Sequence, residues 1–214
     1  IDPGKGGQAF CEIFGASGWN TGVRTMKYLA DHFLVRGINR FMPHAFSPKV
    51  FPDTDCPPHF YAHGANPQYP HFGALMQYLN RMCHLFSNGI NQSPVAVLYH
   101  GEAEWTGDCM FVQEIAKELL EHQIDFDIIP SDVFENRERW ETSLSDVLEI
   151  NGRKYRALIL PRAEFLIEAA VAFIRVAQQR NFPVFFIEKL PCGVLSARGV
   201  RSFREAAGNT AACR

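Results

Sequence analysis

Short, unbroken apolar runs at residues 94–99, 126–129, 157–160 and 183–187 constrain this chain more than any other feature. A strand with one wet face alternates polar and apolar residues. Pro94-Val95-Ala96-Val97-Leu98-Tyr99 does not, and so reads as a strand buried on both faces, the pattern of parallel sheets. Segments of helical period lie between the runs. Residues 109–122 set Met110, Ile115, Leu119 and Leu120 on one face, and residues 164–180 do the same with Leu166, Ala170, Phe173, Ile174 and Ala177. Asn151-Gly152, between 147–150 and 154–155, is a tight-hairpin signal. Ser131 or Asp132 is placed to cap a short turn after Pro130. Strand and helix alternate, which calls for a parallel sheet wound with helices.

The residues before 94 have another character. They hold six of the chain's eight His and 14 of its 27 aromatics, but only 5 acidic and 7 basic residues. Residues 94–214 hold 18 acidic and 14 basic residues. An aromatic, loop-rich, weakly charged half suits a sugar or small-molecule cleft. Its elements are a short strand at 8–12 and a helix at 22–35, with Val23, Met26, Leu29, Ala30 and Phe33 inward. Arg36-Gly37 then stops the helix. A strand at 37–42 follows, then a long Pro- and His-rich loop at 43–70, and a helix at 71–86 that aligns Leu75, Tyr78, Leu79 and Met82. Two parallel strands cannot close a barrel or cover their own edges, so this half reads as the end of something larger. Gly89 and Asn91 supply turn chemistry for a boundary near 88–93. The expected division is thus 1–93 and 94–214, the second part flavodoxin-like in outline. After Pro191 the pattern decays, and residues 208–214 read as a frayed or truncated end. The first residue is not Met, so the start reads as a processing product or a cut.

With 47% hydrophobic and 21% charged residues among 214, the composition is that of an ordinary globular protein. A net charge of −2 argues against nucleic acid as a partner, and no apolar run approaches the ~20 residues of a membrane span. Cysteines at 11, 56, 83, 109, 192 and 213 form no CxxC pair, and no signal peptide opens the chain. Reduced thiols and a cytoplasmic setting are expected. No GxGxxG or Walker loop follows a strand, and no cofactor is expected.

The loop at 51–63 brings together Asp53, Asp55, Cys56, His59 and His63, but its spacing is irregular for zinc and lacks EF-hand order. It reads as a rigid loop whose Asp side chains cap turns, with no metal. Glu102 and Glu104, followed by Trp105, lie beyond a strand end, where α/β sheets place ligands. They share a side only if the chain stays extended. An amidotransferase-type Cys–His site has no support: Cys109 falls at a predicted helix start, Cys192 falls in a Pro-Gly loop, and no strand feeds an elbow.

Three segments together resemble the seventh and eighth βα units of a glycoside hydrolase (β/α)8 barrel. They are Cys11-Glu12-Ile13-Phe14-Gly15-Ala16-Ser17-Gly18-Trp19, the stretch from Leu29 to Asn39, and Met42-Pro43-His44-Ala45-Phe46-Ser47. The stretch from Val95 to Trp105 is similar to the start of the domain that follows the barrel in family 42 β-galactosidases. That domain is flavodoxin-like, with an amidotransferase-like scaffold, and is a trimerisation element. The chain also resembles bacterial family 2-like and rhamnosidase-related proteins, over residues 10–190. The resemblance implies a retaining hydrolase in which Glu12, at the C-terminal end of the seventh strand, attacks the anomeric carbon. The partner acid/base belongs after a fourth strand that lies outside this chain, so the chain alone is expected to be inactive. It also implies that Trp19, His44 and Phe46 contact the sugar, by stacking and by hydrogen bonding. The partners implied are a carbohydrate substrate and further copies of the chain through 94–214. The alternatives are a non-enzymatic α/β interaction module and a barrel end that only binds carbohydrate.

Overall fold

Residues 7–87, 89–197, 199–203 and 206 are described by a computed structural model, and the chain divides into two compact units between Asn91 and Gln92. In the first unit, β1 (Phe10–Ile13) is followed by α1 (Val23–Leu34), β2 (Arg40–Pro43) and α2 (Tyr69–Ser87). β1 and β2 pair in parallel, from Phe10 opposite Arg40 to Ile13 opposite Pro43. Met26, Ala30 and Leu34, four residues apart, are the buried stripe of α1. The helix ends where the Gly37 amide returns to the Leu34 carbonyl at 3.0 Å. Asn39 is buried and ties β2 to the chain ahead of β1: its Oδ1 accepts from the Ala9 amide and its Nδ2 donates to the Gly7 carbonyl, both at 3.0 Å. The core joins Ile13 and Phe14 to Met26, Ala30, Phe60, Phe72, Leu75 and Leu79.

The second unit begins with β3 (Val95–Tyr99), α3 (Gly101–Thr106), α4 (Val112–Glu121), β4 (Phe126–Pro130) and α5 (Asp132–Glu135). An antiparallel meander of β5 (Ser143–Leu144), β6 (Leu148–Ile150) and β7 (Arg153–Tyr155) leads to β8 (Ala157–Leu160). Then come β9 (Phe165–Ile167), α6 (Glu168–Gln179), β10 (Val184–Phe186), β11 (Gly193–Ser196) and β12 (Gly199–Ser202). The apolar runs form one four-stranded parallel sheet in the order β10-β8-β3-β4. Ala96, Val97 and Leu98 of β3 are fully buried, as a strand covered on both faces should be. Asn151 and Gly152 both take left-handed φ, 46° and 74°, and join β6 to β7 as the hairpin signal requires.

Three sequence expectations are corrected here. The helix expected at 164–180 starts only at Glu168. Phe165–Ile167 is instead a strand paired in parallel with β11, because the Glu164 carbonyl accepts from the amides of Cys192 and Gly193 at 2.8 and 3.2 Å. Gly193 allows that approach: a β-carbon there would lie 2.8 Å from the Phe165 ring. The region after Pro191, expected to decay, forms the β11–β12 hairpin. Cys109 lies ahead of α4, not within it, in an isolated antiparallel bridge with Ala163. Residues 208–214 lie outside the described residues. No described helix is long and apolar enough to cross a membrane.

Tyr155 is fully buried, and its hydroxyl donates to Asp127 Oδ2 at 2.8 Å. Burial first, and then the charge of Asp127, pushes its pKa far above the usual tyrosine value. Tyr155→Phe keeps the ring and removes the donor to a charged acceptor. Urea unfolding is expected to show a loss of about 1.5–3 kcal/mol with an unchanged m value.

Candidate active site

The C-terminal ends of β1 and β2 build a cleft. The parallel ladder carries on for one bond past β2, where the His44 amide donates to the Ile13 carbonyl at 2.8 Å. Glu12 leaves the end of β1, His44 follows β2, and both line a cleft of about 420 Å³. Gly15 sits against the two: a β-carbon there would lie 3.6 Å from Glu12 Oε1 and 3.5 Å from His44 Cγ. Leu29 and Phe33, from the inward side of α1, supply an apolar wall. Nδ1 of His44 is buried and has no hydrogen-bond partner among the described residues. A buried polar ring atom without a partner is costly, so it is a natural point of attachment for a hydroxyl.

The turn after β1 that opens this cleft is strained. Phe14 and Ala16 hold left-handed φ of 79° and 55°, a conformation that costs non-glycine residues on the order of 1–3 kcal/mol. Burial of Phe14, edge-on to Phe60 at 6.3 Å, offsets that cost. Ser17 Oγ donates to the Phe14 carbonyl at 2.6 Å and fixes the turn from within.

The Pro-rich loop is stitched over both strand exits. Amides of Ala16 and Gly18 donate to the carbonyls of Cys56 and Pro57, at 3.4 and 2.9 Å, on the β1 side. On the β2 side the Ala45 amide donates to the Pro58 carbonyl at 3.3 Å and the Phe60 amide to the Ala45 carbonyl at 2.9 Å. This brings Cys56 into the cleft lining, a residue that sequence reasoning treated only as a metal candidate. A hydrogen bond with Asp55, the charge of Asp55, burial, and then Glu12 and Asp53 push its thiol above the usual cysteine value. That shift disfavours the thiolate form at Cys56.

Trp19 and Phe46 lie outside the residues that line this cleft. Trp19, 39% exposed, stands edge-on to Phe51 and His59, each at 5.4 Å, and so packs on the loop. Phe46, 60% exposed, is edge-on to Phe60, Tyr69 and Phe72. The loop acids hold the loop. Asp53, 8% exposed, accepts from Ser47 Oγ at 2.6 Å and from the Asp55 amide at 3.1 Å, while His59 Nε2 donates to the Asp55 carbonyl at 2.8 Å. Among the described residues, no group of three or more His, Cys, Asp or Glu is arranged to hold a metal ion.

In the second unit Glu102 and Glu104 fall on helix α3, where residues two apart point to different sides, so they form no carboxylate pair. Both Glu102 oxygens accept from Ser131 Oγ, at 3.0 and 3.1 Å.

Parallel strands with helices between them place the chain in the α/β class, and comparison gives the family. Residues 9–178 match alpha-L-rhamnosidase, glycoside hydrolase family 106, and the chain belongs to that family. Among solved structures it is similar to a rhamnosidase from Novosphingobium sp. PP1Y, with a TM-score of 0.53 at 15% sequence identity. That match covers 83% of this chain and 17% of the rhamnosidase, so the chain spans about a sixth of that protein's length. At this identity the likeness is one of fold. No curated protein matches the chain.

Asp53 supplies a pH test of the loop. The Ser47 hydroxyl first, then the Asp55 amide, holds its carboxyl below the ordinary aspartate range. A depressed folded-state pKa stabilises fully above the ordinary value of about 3.9, and that stabilisation is lost as pH falls through and below it. Trp19 emission, isolated by difference from Trp19→Phe, is expected to shift as pH falls below about 4. In Asp53→Asn that transition is expected to vanish. Its persistence would assign the loop to another carboxylate.

Proposed function

We propose that this chain forms part of the sugar-processing region of an enzyme that hydrolyses α-L-rhamnosides, with Glu12 as one of its two catalytic carboxyls. The observation that carries this reading is the cleft at the ends of β1 and β2, where Glu12 and His44 meet across Gly15. In the finer reading, β1-α1-β2-α2 are the last two βα units of a (β/α)8 barrel, supported by the parallel pairing of β1 with β2 around α1. The 92–214 unit is read as flavodoxin-like. The support is its sheet order, which counted along its own strands is 2-1-3-4.

The chemistry suits the substrate. Rhamnose is a 6-deoxy sugar with a methyl group beside hydroxyls, and the cleft sets Leu29 and Phe33 beside Glu12 and His44. The methyl group packs against the apolar wall, and His44 Nδ1 takes a hydroxyl. Trp19 and Phe46 offer ring faces to neighbouring parts of the substrate. Positive charge developing at the anomeric carbon is stabilised by the Glu12 carboxylate. Retention, the outcome the resemblance implies, needs the partner carboxyl about 5–5.5 Å from Glu12, whereas about 6.5–9.5 Å leaves room for water and gives inversion.

In the intact enzyme assayed on p-nitrophenyl α-L-rhamnoside, Glu12→Gln is expected to lower kcat by on the order of 10³-fold. His44→Ala is expected to act mainly by raising KM. Turnover that survives Glu12→Gln would overturn the role of Glu12, and turnover confined to other aryl glycosides would overturn the substrate. Proton NMR of the first-formed rhamnose anomer reads the carboxyl separation.

A further inference from the structure

A second cleft, sharing no residue with the one around Glu12, lies within the 92–214 unit. It is an open cleft of about 670 Å³ among α3, the end of α5, the start of α6 and the end of β11, within the ~300–1,000 Å³ of small-molecule sites. Ile167, buried, and Leu195, half-buried, give it an apolar base. Trp105 lines it with an indole that is 88% exposed and contacts no other ring among the described residues. A tryptophan left so open buries little against the described residues, and its flat apolar face is open to a ligand.

The polar lining fixes the kind of ligand. Glu102, Glu135 and Glu168 line the cleft, and no Lys, Arg or His does among the described residues. Anions are therefore repelled. Two of the carboxylates are held in place from outside the cleft, Glu102 by Ser131 Oγ and Glu168 by Arg201. Carboxylates already oriented accept ligand hydroxyls with little ordering cost. One aromatic platform, an apolar base and fixed acceptors match a ring with a C–H face and a hydroxyl edge.

The geometry points to a second carbohydrate site in this chain, in which a neutral pyranoside unit stacks its C–H face on Trp105 and donates hydroxyls to the surrounding glutamates. Such a site would hold part of a saccharide chain while another part is processed elsewhere. It rests on the glycoside-hydrolase reading only for the choice of probe.

The test is saturation-transfer NMR on the full chain with the methyl pyranosides of L-rhamnose, D-glucose and D-galactose, and with spermidine as a cationic probe. At least one pyranoside is expected to bind. Trp105→Ala and Glu135→Gln are each expected to weaken that binding about tenfold or more, the loss typical of removing an anchoring contact. Both side chains are exposed, and unchanged circular dichroism checks that the variants remain folded. Lys117→Ala, on the exposed face of α4 and lining neither cleft, is expected to leave the binding as it was. Binding that falls with Glu12→Gln and not with Trp105→Ala would overturn the second site and leave the hydrolase reading standing. Binding of spermidine alone, or of none of the probes, would overturn it as well.

Discussion

The backbone of Cys56–Phe60 laid across the exits of β1 and β2 is the constraint on which the rest of the first unit depends. Two parallel strands share one ladder and have no further strand within the described part of this unit to hold their ends together. Four amide–carbonyl bonds from the loop, two on each side, tie the turn after β1 to the segment after β2. The loop keeps its own shape through the Asp53 carboxylate and the Asp55 carbonyl, both bonded within the loop. The strained backbone at Phe14 and Ala16 persists because the phenylalanine ring and these loop bonds over-determine it. The ladder bond from the His44 amide to the Ile13 carbonyl and these loop bonds together hold the two strand exits that carry Glu12 and His44.

Much of this was legible in the residues. Continuous apolar runs marked β3, β8 and β10, the Arg36-Gly37 stop ended α1, and Asn151-Gly152 gave its hairpin, because each of those signals is local. Glu12 and His44 were singled out through the resemblance to a glycoside hydrolase barrel, and both line one cleft. What was not legible came from pairing at a distance. Phe165-Leu166-Ile167 carries the period of the helix that follows it, and only the amides of Cys192 and Gly193 make it a strand. In the same way Cys56 enters the cleft through backbone bonds forty residues from Ala16 and Gly18, and no short-range motif encodes that. Glu102 and Glu104 looked like a pair because a six-residue helix after a strand has too little periodicity to show itself.

The two units divide their labour by composition. The first sets half-buried polar groups and aromatic rings around a small core. The second buries a continuous apolar cluster around β3 and closes it with α6. That contrast accords with the proposed reading of the first unit as the one that carries the site, since residues chosen for chemistry pack less well than residues chosen for burial. The second cleft does not break the pattern: it sits at the rim of the scaffold, where Trp105 and the glutamates leave the buried cluster undisturbed.

Gly15 has a consequence for how such a cleft could be tuned. Its backbone lies outside the left-handed region, and a methyl group there would meet its neighbours only at ordinary contact distance. The backbone there accommodates alanine, while the gap between Glu12 and His44 would lose one carbon's width. A single hydrogen atom at position 15 stands between the two side chains, so this is a place where the cleft can be narrowed without rebuilding its walls.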